Sequence, residues 1–147
     1  MRRAGIRDIQ GIRRFVAGLN HSLSNAVSVP GDPGAAAFLA TVGNRTVGYA
    51  CLSSIRAKGS RVNHVGVVEI FASSSFFLVA SNLLYDKLLL LARERELTKL
   101  HSQETASHVE ALGFLLGRKF NIEGLLKNVV RIRKNKRDDI VLLGALI

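Results

Sequence analysis

Apolar residues in this chain fall into short β-branched runs and longer stretches with helical spacing, and the two kinds meet most sharply near residue 72. Val65-Gly-Val-Val-Glu-Ile-Phe71 predicts a strand, because Val and Ile fit a pleated surface. Ala72-Ser-Ser-Ser75-Phe-Phe-Leu78-Val-Ala80-Ser-Asn follows directly. Beyond it Leu83, Leu84, Lys87, Leu88, Leu91 and Ala92 recur at helical spacing, which predicts a long helix with Arg93-Glu-Arg-Glu96 as its solvated end. A strand that runs into a helix N-terminus leaves backbone N–H groups without partners, and together with the helix dipole these attract an anion. Ser73, Ser74 and Ser75 are expected to cap that terminus.

The same reading extends along the chain. A short strand near Arg2 leads to a helix capped by Asp8, with Ile9, Ile12, Phe15, Val16 and Leu19 on its apolar face. Asn20 to Ala35 holds Ser, Asn, Gly and both prolines and predicts a loop with room for one short helix. Ala37-Phe-Leu-Ala-Thr-Val42, Gly43-Asn44 and Arg45-Thr-Val-Gly-Tyr-Ala-Cys-Leu52 form a hairpin, since Gly and Asn suit a tight turn. A polar loop from Arg56 to Asn63 precedes the strand at Val65. After the long helix come a short strand from Leu97 to Ser102 and a helix from about Ser107 to Gly117, to which Val109, Leu112, Phe114, Leu115 and Leu116 give apolar surface. Strands at Phe120 to Leu126 and Ile140 to Leu143 close the order, with Val129, Val130 and Ile132 between them. Hairpins make antiparallel pairs and a strand-helix-strand unit makes a parallel one. The expectation is an α/β fold over residues 1–147, one domain with a mixed, mostly antiparallel twisted sheet flanked by helices.

Composition narrows the class. The 147 residues, 48% hydrophobic and 22% charged, suffice for a packed core and exclude a disordered chain. Phe76 to Leu91 is interrupted by Ser81, Asn82, Asp86 and Lys87, short of the apolar length a membrane span needs. No apolar core develops after Arg2 and Arg3, so a cytoplasmic location without membrane attachment is expected. Lys and Arg number 21 against 11 Asp and Glu, for a net charge of +10, a field that draws in anions of any kind. Its densest part, residues 131–137 with Arg131, Arg133, Lys134, Lys136 and Arg137, reads as a solvated hairpin turn, and it admits nucleic acid or the ribosome as a partner. The apolar end from Ile140 to Ile147 admits a homodimer. Cys51, the only cysteine, reads as a buried inert thiol. His21, His64, His101 and His108 are scattered without ligand spacing, so no metal site is expected.

This order, with four local phrases, resembles the GNAT superfamily of acetyl-coenzyme A dependent N-acetyltransferases. Arg2-Arg-Ala-Gly-Ile-Arg-Asp-Ile is similar to the family's opening strand and first helix cap. Phe38-Leu-Ala-Thr-Val-Gly-Asn-Arg-Thr-Val-Gly-Tyr-Ala-Cys-Leu is similar to its second and third strands. Ala111-Leu-Gly-Phe-Leu-Leu-Gly-Arg-Lys-Phe-Asn-Ile-Glu-Gly-Leu-Leu is similar to its penultimate helix and the strand that follows, and Ile132-Arg-Lys-Asn-Lys-Arg-Asp-Asp-Ile-Val-Leu-Leu to its final hairpin. The resemblance covers nearly the whole chain. Its cofactor loop, Arg or Gln, two residues, Gly, one residue, then Gly or Ala, falls on Ser75, Leu78 and Ala80, of which only Ala80 fits.

The resemblance implies that acetyl-CoA or coenzyme A binds across Ile70, Phe71, Ala72, Ser75, Phe76, Phe77, Leu78, Val79, Ala80 and Ser81, with its pyrophosphate on the helix start. It implies transfer of the acetyl group to an amine acceptor, a small molecule or a protein, by direct attack in a ternary complex. The tyrosine that many relatives use as an acid falls on Leu115, and a preceding asparagine falls on His108, which reads as an exposed helical histidine. Glu69 is then the candidate general base, because the amine must lose a proton before it attacks and a carboxylate on the adjacent strand can take it. Tyr49 and Tyr85 read as core aromatics and His64 as a loop residue. The alternative is a catalytically impaired module of the same fold that binds coenzyme A, another anion or nucleic acid. A dedicated nucleic-acid binder ranks last, because no aromatic residues accompany the basic run.

Overall fold

The computed structural model describes residues 1–19, 27–54 and 64–147. The loop expected from Arg56 to Asn63 lies outside the described residues, as does the first part of the loop expected from Asn20 to Ala35. Among the described residues seven strands and three α-helices follow in the expected order: β1 (Arg2–Arg3), α1 (Ile9–Gly18), β2 (Ala36–Val42), β3 (Arg45–Ser54), β4 (Val65–Ala72), α2 (Phe77–Glu94), β5 (Lys99–Thr105), α3 (Val109–Gly117), β6 (Asn121–Arg133) and β7 (Lys136–Leu146). They form one sheet in the order β1-β2-β3-β4-β5-β7-β6. Every pairing is antiparallel except β4 with β5. A right-handed crossover through α2 is the expected connection of that parallel pair.

Side-chain alternation divides the core between the two faces. Phe38, Ala50, Leu52, Val68, Leu100 and Leu143 pack with α2 and α3 on one face. Ala37, Leu39, Tyr49, Cys51 and Phe71 pack with Ile12 and Val16 of α1 on the other. Along α2 the buried residues Phe77, Ala80, Ser81, Leu84, Tyr85, Leu88 and Ala92 form the stripe that a 3.6-residue period turns toward the sheet. By length and hydropathy the segment Ser74–Glu94 meets the requirement for a membrane span, contrary to the sequence expectation; in the fold it is the helix laid across the sheet. Its N-terminal end approaches closely because Gly48 on β3 has no side chain. A Cβ there would stand 2.8 Å from Leu84 Cδ1 and 3.1 Å from the Ala80 Cβ.

Several local expectations change. Asp8 does not cap α1: its carboxylate accepts the Gly5 N–H at 2.8 Å and binds Arg2 at 2.6 and 2.9 Å, closing the 3-10 turn before the helix. The solvated end of α2 is solvated only in part, since Arg95 Nη1 donates to the Gly34 carbonyl at 2.8 Å. Leu97 precedes β5 instead of starting it, and Val109 and Leu116 of α3 face solvent. The final strands are longer than the alternation suggests. Lys127 to Val130, and the basic stretch after them, belong to β6 and β7 or to the tight turn joining them. Register shifts after Ile122, Leu126 and Arg131, with Asn128 at φ 56°, break the period that marks a strand.

Candidate active site

β4 and β5 run parallel for only three registered pairs, Val65 with Lys99, Gly66 with Leu100 and Val67 with His101. One further tie crosses between them, the Ser102 hydroxyl donating to the Val68 carbonyl at 2.9 Å. Past that point β4 continues to Ala72 and β5 to Thr105 with no ladder joining them. The separation opens a cavity of about 320 Å³ through the sheet.

Both faces of the sheet contribute to its walls. Val67, Glu69 and Phe71 alternate toward the α1 face, where Ser28 and Ser53 join them. Ile70, Ser102 and Glu104 alternate toward the opposite face, where Phe77 and Ser81 of α2 and Ala111, Phe114 and Leu115 of α3 complete the lining. A ligand entering from the helix side therefore meets, through the gap, a carboxylate that belongs to the other side.

That carboxylate is Glu69. It stands opposite Cys51 in the β3 register and accepts the Ser28 N–H at 3.1 and 3.4 Å. The Ser28 segment is fastened in turn by Tyr49, whose hydroxyl donates to the Ser28 carbonyl at 2.6 Å, and by Asp32, which accepts the Val29 N–H at 2.8 Å. Glu69 thus points under a covering turn and not to open solvent. Burial raises its pKa above the usual carboxylate range, against the lowering effect of the Ser28 hydrogen bond. A carboxylate so placed is a better proton acceptor near neutral pH than a solvated one.

The residues expected to hold a cofactor are divided by the structure. Ile70 and Phe71 line the cavity, and Ala72 ends β4. The serines do not cap: no side-chain hydrogen bond closes either the 3-10 turn Ser74–Phe76 or α2. Ser73 and Ser81 have buried hydroxyls with no hydrogen-bond partner among the described residues. An orphaned buried hydroxyl costs free energy, so Ser81, on the cavity wall, fits a polar ligand group that would accept or donate there. Phe77 and Ala80 are buried, Ser75 is exposed, and Leu78 and Val79 stand outward at 61% and 64% exposure on the first turn of α2. The cleft thus joins an apolar, polar-dotted slot to a helix start whose amides carry no side-chain cap, as a long ligand ending in a phosphate requires.

Other candidates settle into packing roles. Cys51 is fully buried and its thiol is pushed up to about 12, mainly by burial, which suits an inert group. Tyr85 lies in edge-to-face contact with Phe114 and Phe120, and burial raises its pKa. Leu115 presents hydrocarbon to the cavity. Among the described residues no metal-binding group assembles.

His108 departs from its reading as an exposed residue. It is half-buried at the N-cap of α3, with Nδ1 3.0 Å from Glu104 Oε1 and its ring edge-on to Phe77. Glu104 is only 5% exposed, and its Oε1 also accepts the Thr105 N–H at 3.1 Å. Sequence reasoning missed this pair because it ends β5 at Ser102. The available signal is the alternation of Leu100, Ser102 and Glu104, which places all three on one face.

No protein-family model matches the sequence, and no curated protein matches it either. Solved structures do. The ribosomal-protein-alanine N-acetyltransferase from Brucella melitensis superposes with a TM-score of 0.78 at 18% identity, over 99% of this chain and 98% of the other. An acetyltransferase of the GNAT family from Streptococcus pneumoniae gives 0.75 at 22% identity, over 99% and 98%. The protein yncA from Salmonella typhimurium, solved with its cofactor acetyl-CoA, gives 0.65 at 12% identity, over 77% and 65%. This chain has the GNAT acetyltransferase fold.

Proposed function

We propose that this protein is an N-acetyltransferase that moves the acetyl group of acetyl-CoA to an amine by direct attack in a ternary complex. The observation that carries the reading is the gap between β4 and β5, lined from both faces of the sheet, with Glu69 on one face and the start of α2 on the other. Bound acetyl-CoA would supply the thioester. Ser81 and the backbone of Ile70 and Phe71 would hold its stem in the slot, and within the stretch from Ser75 to Ala80 the amides other than those of Phe76 and Phe77, which are given to the Ser73 and Ser74 carbonyls, would meet the pyrophosphate. Glu69, held by Ser28, would take the proton of an amine that reaches the gap from the α1 face.

Incubation with acetyl-CoA and a panel of amines and amine-bearing peptides, read by release of free thiol and by acceptor mass, tests the reading. Acetylated product that depends on Glu69 is expected. A wild-type protein that binds coenzyme A and acetylates no amine contradicts the enzymatic reading and leaves a binding module.

A further inference from the structure

Gln103 lies on the acceptor side of the gap and takes no part in the proton transfer assigned to Glu69. The ladder between β4 and β5 ends with Val67 opposite His101. Two residues further along each strand the side chains return to the same face of the sheet, so Glu69 on β4 and Gln103 on β5 stand as counterparts on the two sides of the gap. Both line the cavity, Glu69 half-buried and Gln103 exposed. Ser102 and Glu104, the chain neighbours of Gln103, are buried and turn to the helix face.

The charge around this mouth is of one sign. Glu69 stands in it, and Asp32 is near enough for its charge to contribute to the raised pKa of Glu69. Among the described residues that line the cavity none is Lys, Arg or His. A carboxylate brought in beside Glu69 would lose water, meet a like charge and find no cation on these walls. A neutral amide meets no such cost. The Gln103 side chain has no hydrogen-bond partner among the described residues. Its carbonyl can accept from the N–H of a peptide group and its NH2 can donate to the C=O of one.

We propose that Gln103 reads the group next to the reacting amine, and that this group is a neutral amide, as at the N-terminus of a peptide, and not the carboxylate of a free amino acid. The amine turns to Glu69 on one side of the gap while the adjoining amide lies against Gln103 on the other. Gln103 thereby selects and positions the acceptor without touching the thioester. The remaining polar groups on the acceptor side, the hydroxyls of Ser28 and Ser53, are neutral as well.

The inference rests on the acetyl-transfer reading, and a matched pair of acceptors separates the two. Rates with acetyl-CoA and either glycinamide or glycine are measured for wild type, Gln103→Ala and Gln103→Arg, with coenzyme A affinity alongside. The wild type should favour glycinamide in kcat/KM by about 10²-fold or more, because the walls leave a carboxylate unpaired. Gln103→Ala should lower kcat/KM for glycinamide by about tenfold, with coenzyme A affinity unchanged. Gln103→Arg supplies the missing cation and should reduce the preference by about tenfold or more, through a faster reaction with glycine. The two acceptors differ in amine basicity, but that difference is common to the three proteins and cancels from the change in preference. A purely structural role for Gln103 would lower both rates alike and leave the ratio fixed. A ratio equal in all three proteins, a wild type that favours glycine, or one that acetylates other amines and neither of the pair, overturns the assignment to Gln103 while leaving acetyl transfer standing. A wild type that acetylates no amine overturns the acetyl-transfer reading and the assignment together.

Discussion

The two halves of β4 lie on one continuous strand and meet opposite fates. From Val65 to Val68 the strand is tied to β5 on one side, and from Gly66 onward it is laddered to β3 on the other. From Glu69 to Ala72 it keeps β3 alone. In the first half the side chains interlock: Val68 and Leu100 are fully buried, and a Cβ on Gly66 would stand 2.7 Å from Leu97 Cδ1 and 2.9 Å from Leu52 Cδ1. In the second half the wall is unfinished, with a carboxylate, an orphaned serine and an open slot. If the proposed function holds, side chains of the paired half serve stability and those of the open half serve chemistry, so substitutions in the two should separate folding from activity.

The largest stability effect is expected in the paired half. Leu100→Ala removes a fully buried side chain beside Gly66 and should cost about 2–5 kcal/mol of unfolding free energy, measured by urea denaturation. Glu69→Gln makes the reverse case. It should lower turnover by about 10²-fold while coenzyme A affinity stays near that of wild type, as expected for loss of a general base. Stability of Glu69→Gln should be equal or higher, because burial disfavours the charge it removes. Turnover equal to wild type would remove Glu69 from the mechanism.

The same asymmetry has a pH signature. Because the folded-state pKa of Glu69 is raised, its protonation favours the folded state, so its contribution to stability grows as pH falls through that pKa toward the unfolded value. Activity runs the other way and should fall on that limb. For His108 the pKa is raised by a partner, so the stability of the Glu104 pair is present below the ordinary histidine value and is lost as pH rises through the raised one. Melting curves against pH should show a loss as pH rises from the ordinary histidine value through the raised one, and Glu104→Gln should remove it.

A smaller effect should come from the border of the two halves. Ser102→Ala cuts the last tie across the gap and leaves the buried Val68 carbonyl unpaired, at a cost of about 1–3 kcal/mol. Smallest is Leu78→Gly, whose side chain stands outward and buries little; the exchange should cost about 1 kcal/mol in helix propensity. Coenzyme A binding should tighten, since glycine lets a phosphate approach the backbone more closely. Unchanged or weaker binding in the folded variant would show that Leu78 does not obstruct the site.

Element order and the parallel placement of β4 beside β5 were legible because their signals are local: β-branched runs, the Gly43-Asn44 turn with Gly43 at φ 57°, and the α2 stripe. The ends of elements were not. β5 continues through Glu104 with polar residues that no hydrophobic period marks, and β6 is an edge strand whose Ile122, Leu125, Leu126 and Val129 face solvent around its bulges. Within the site, Glu69 stood out as a carboxylate inside an apolar run. Ser28 and the Glu104–His108 pair did not, because their roles depend on contacts across 41 residues and across a strand-to-helix turn. The serines at 73–75 mislead for a physical reason: a capping residue type caps only when its hydroxyl turns toward the helix amides, and here a 3-10 turn intervenes.

The central claim is that the open half of β4 and the start of α2 form one acetyl-CoA site. Amide chemical shifts of uniformly labelled protein, followed during titration with coenzyme A, test it most directly. Saturable shifts are expected at Glu69 to Ala72, at Ser75 to Ser81 and at Glu104, with the paired residues Val65 to Val67 and the basic hairpin tip at 131–137 unmoved. Shifts confined to the hairpin tip, or none at millimolar ligand, would contradict it.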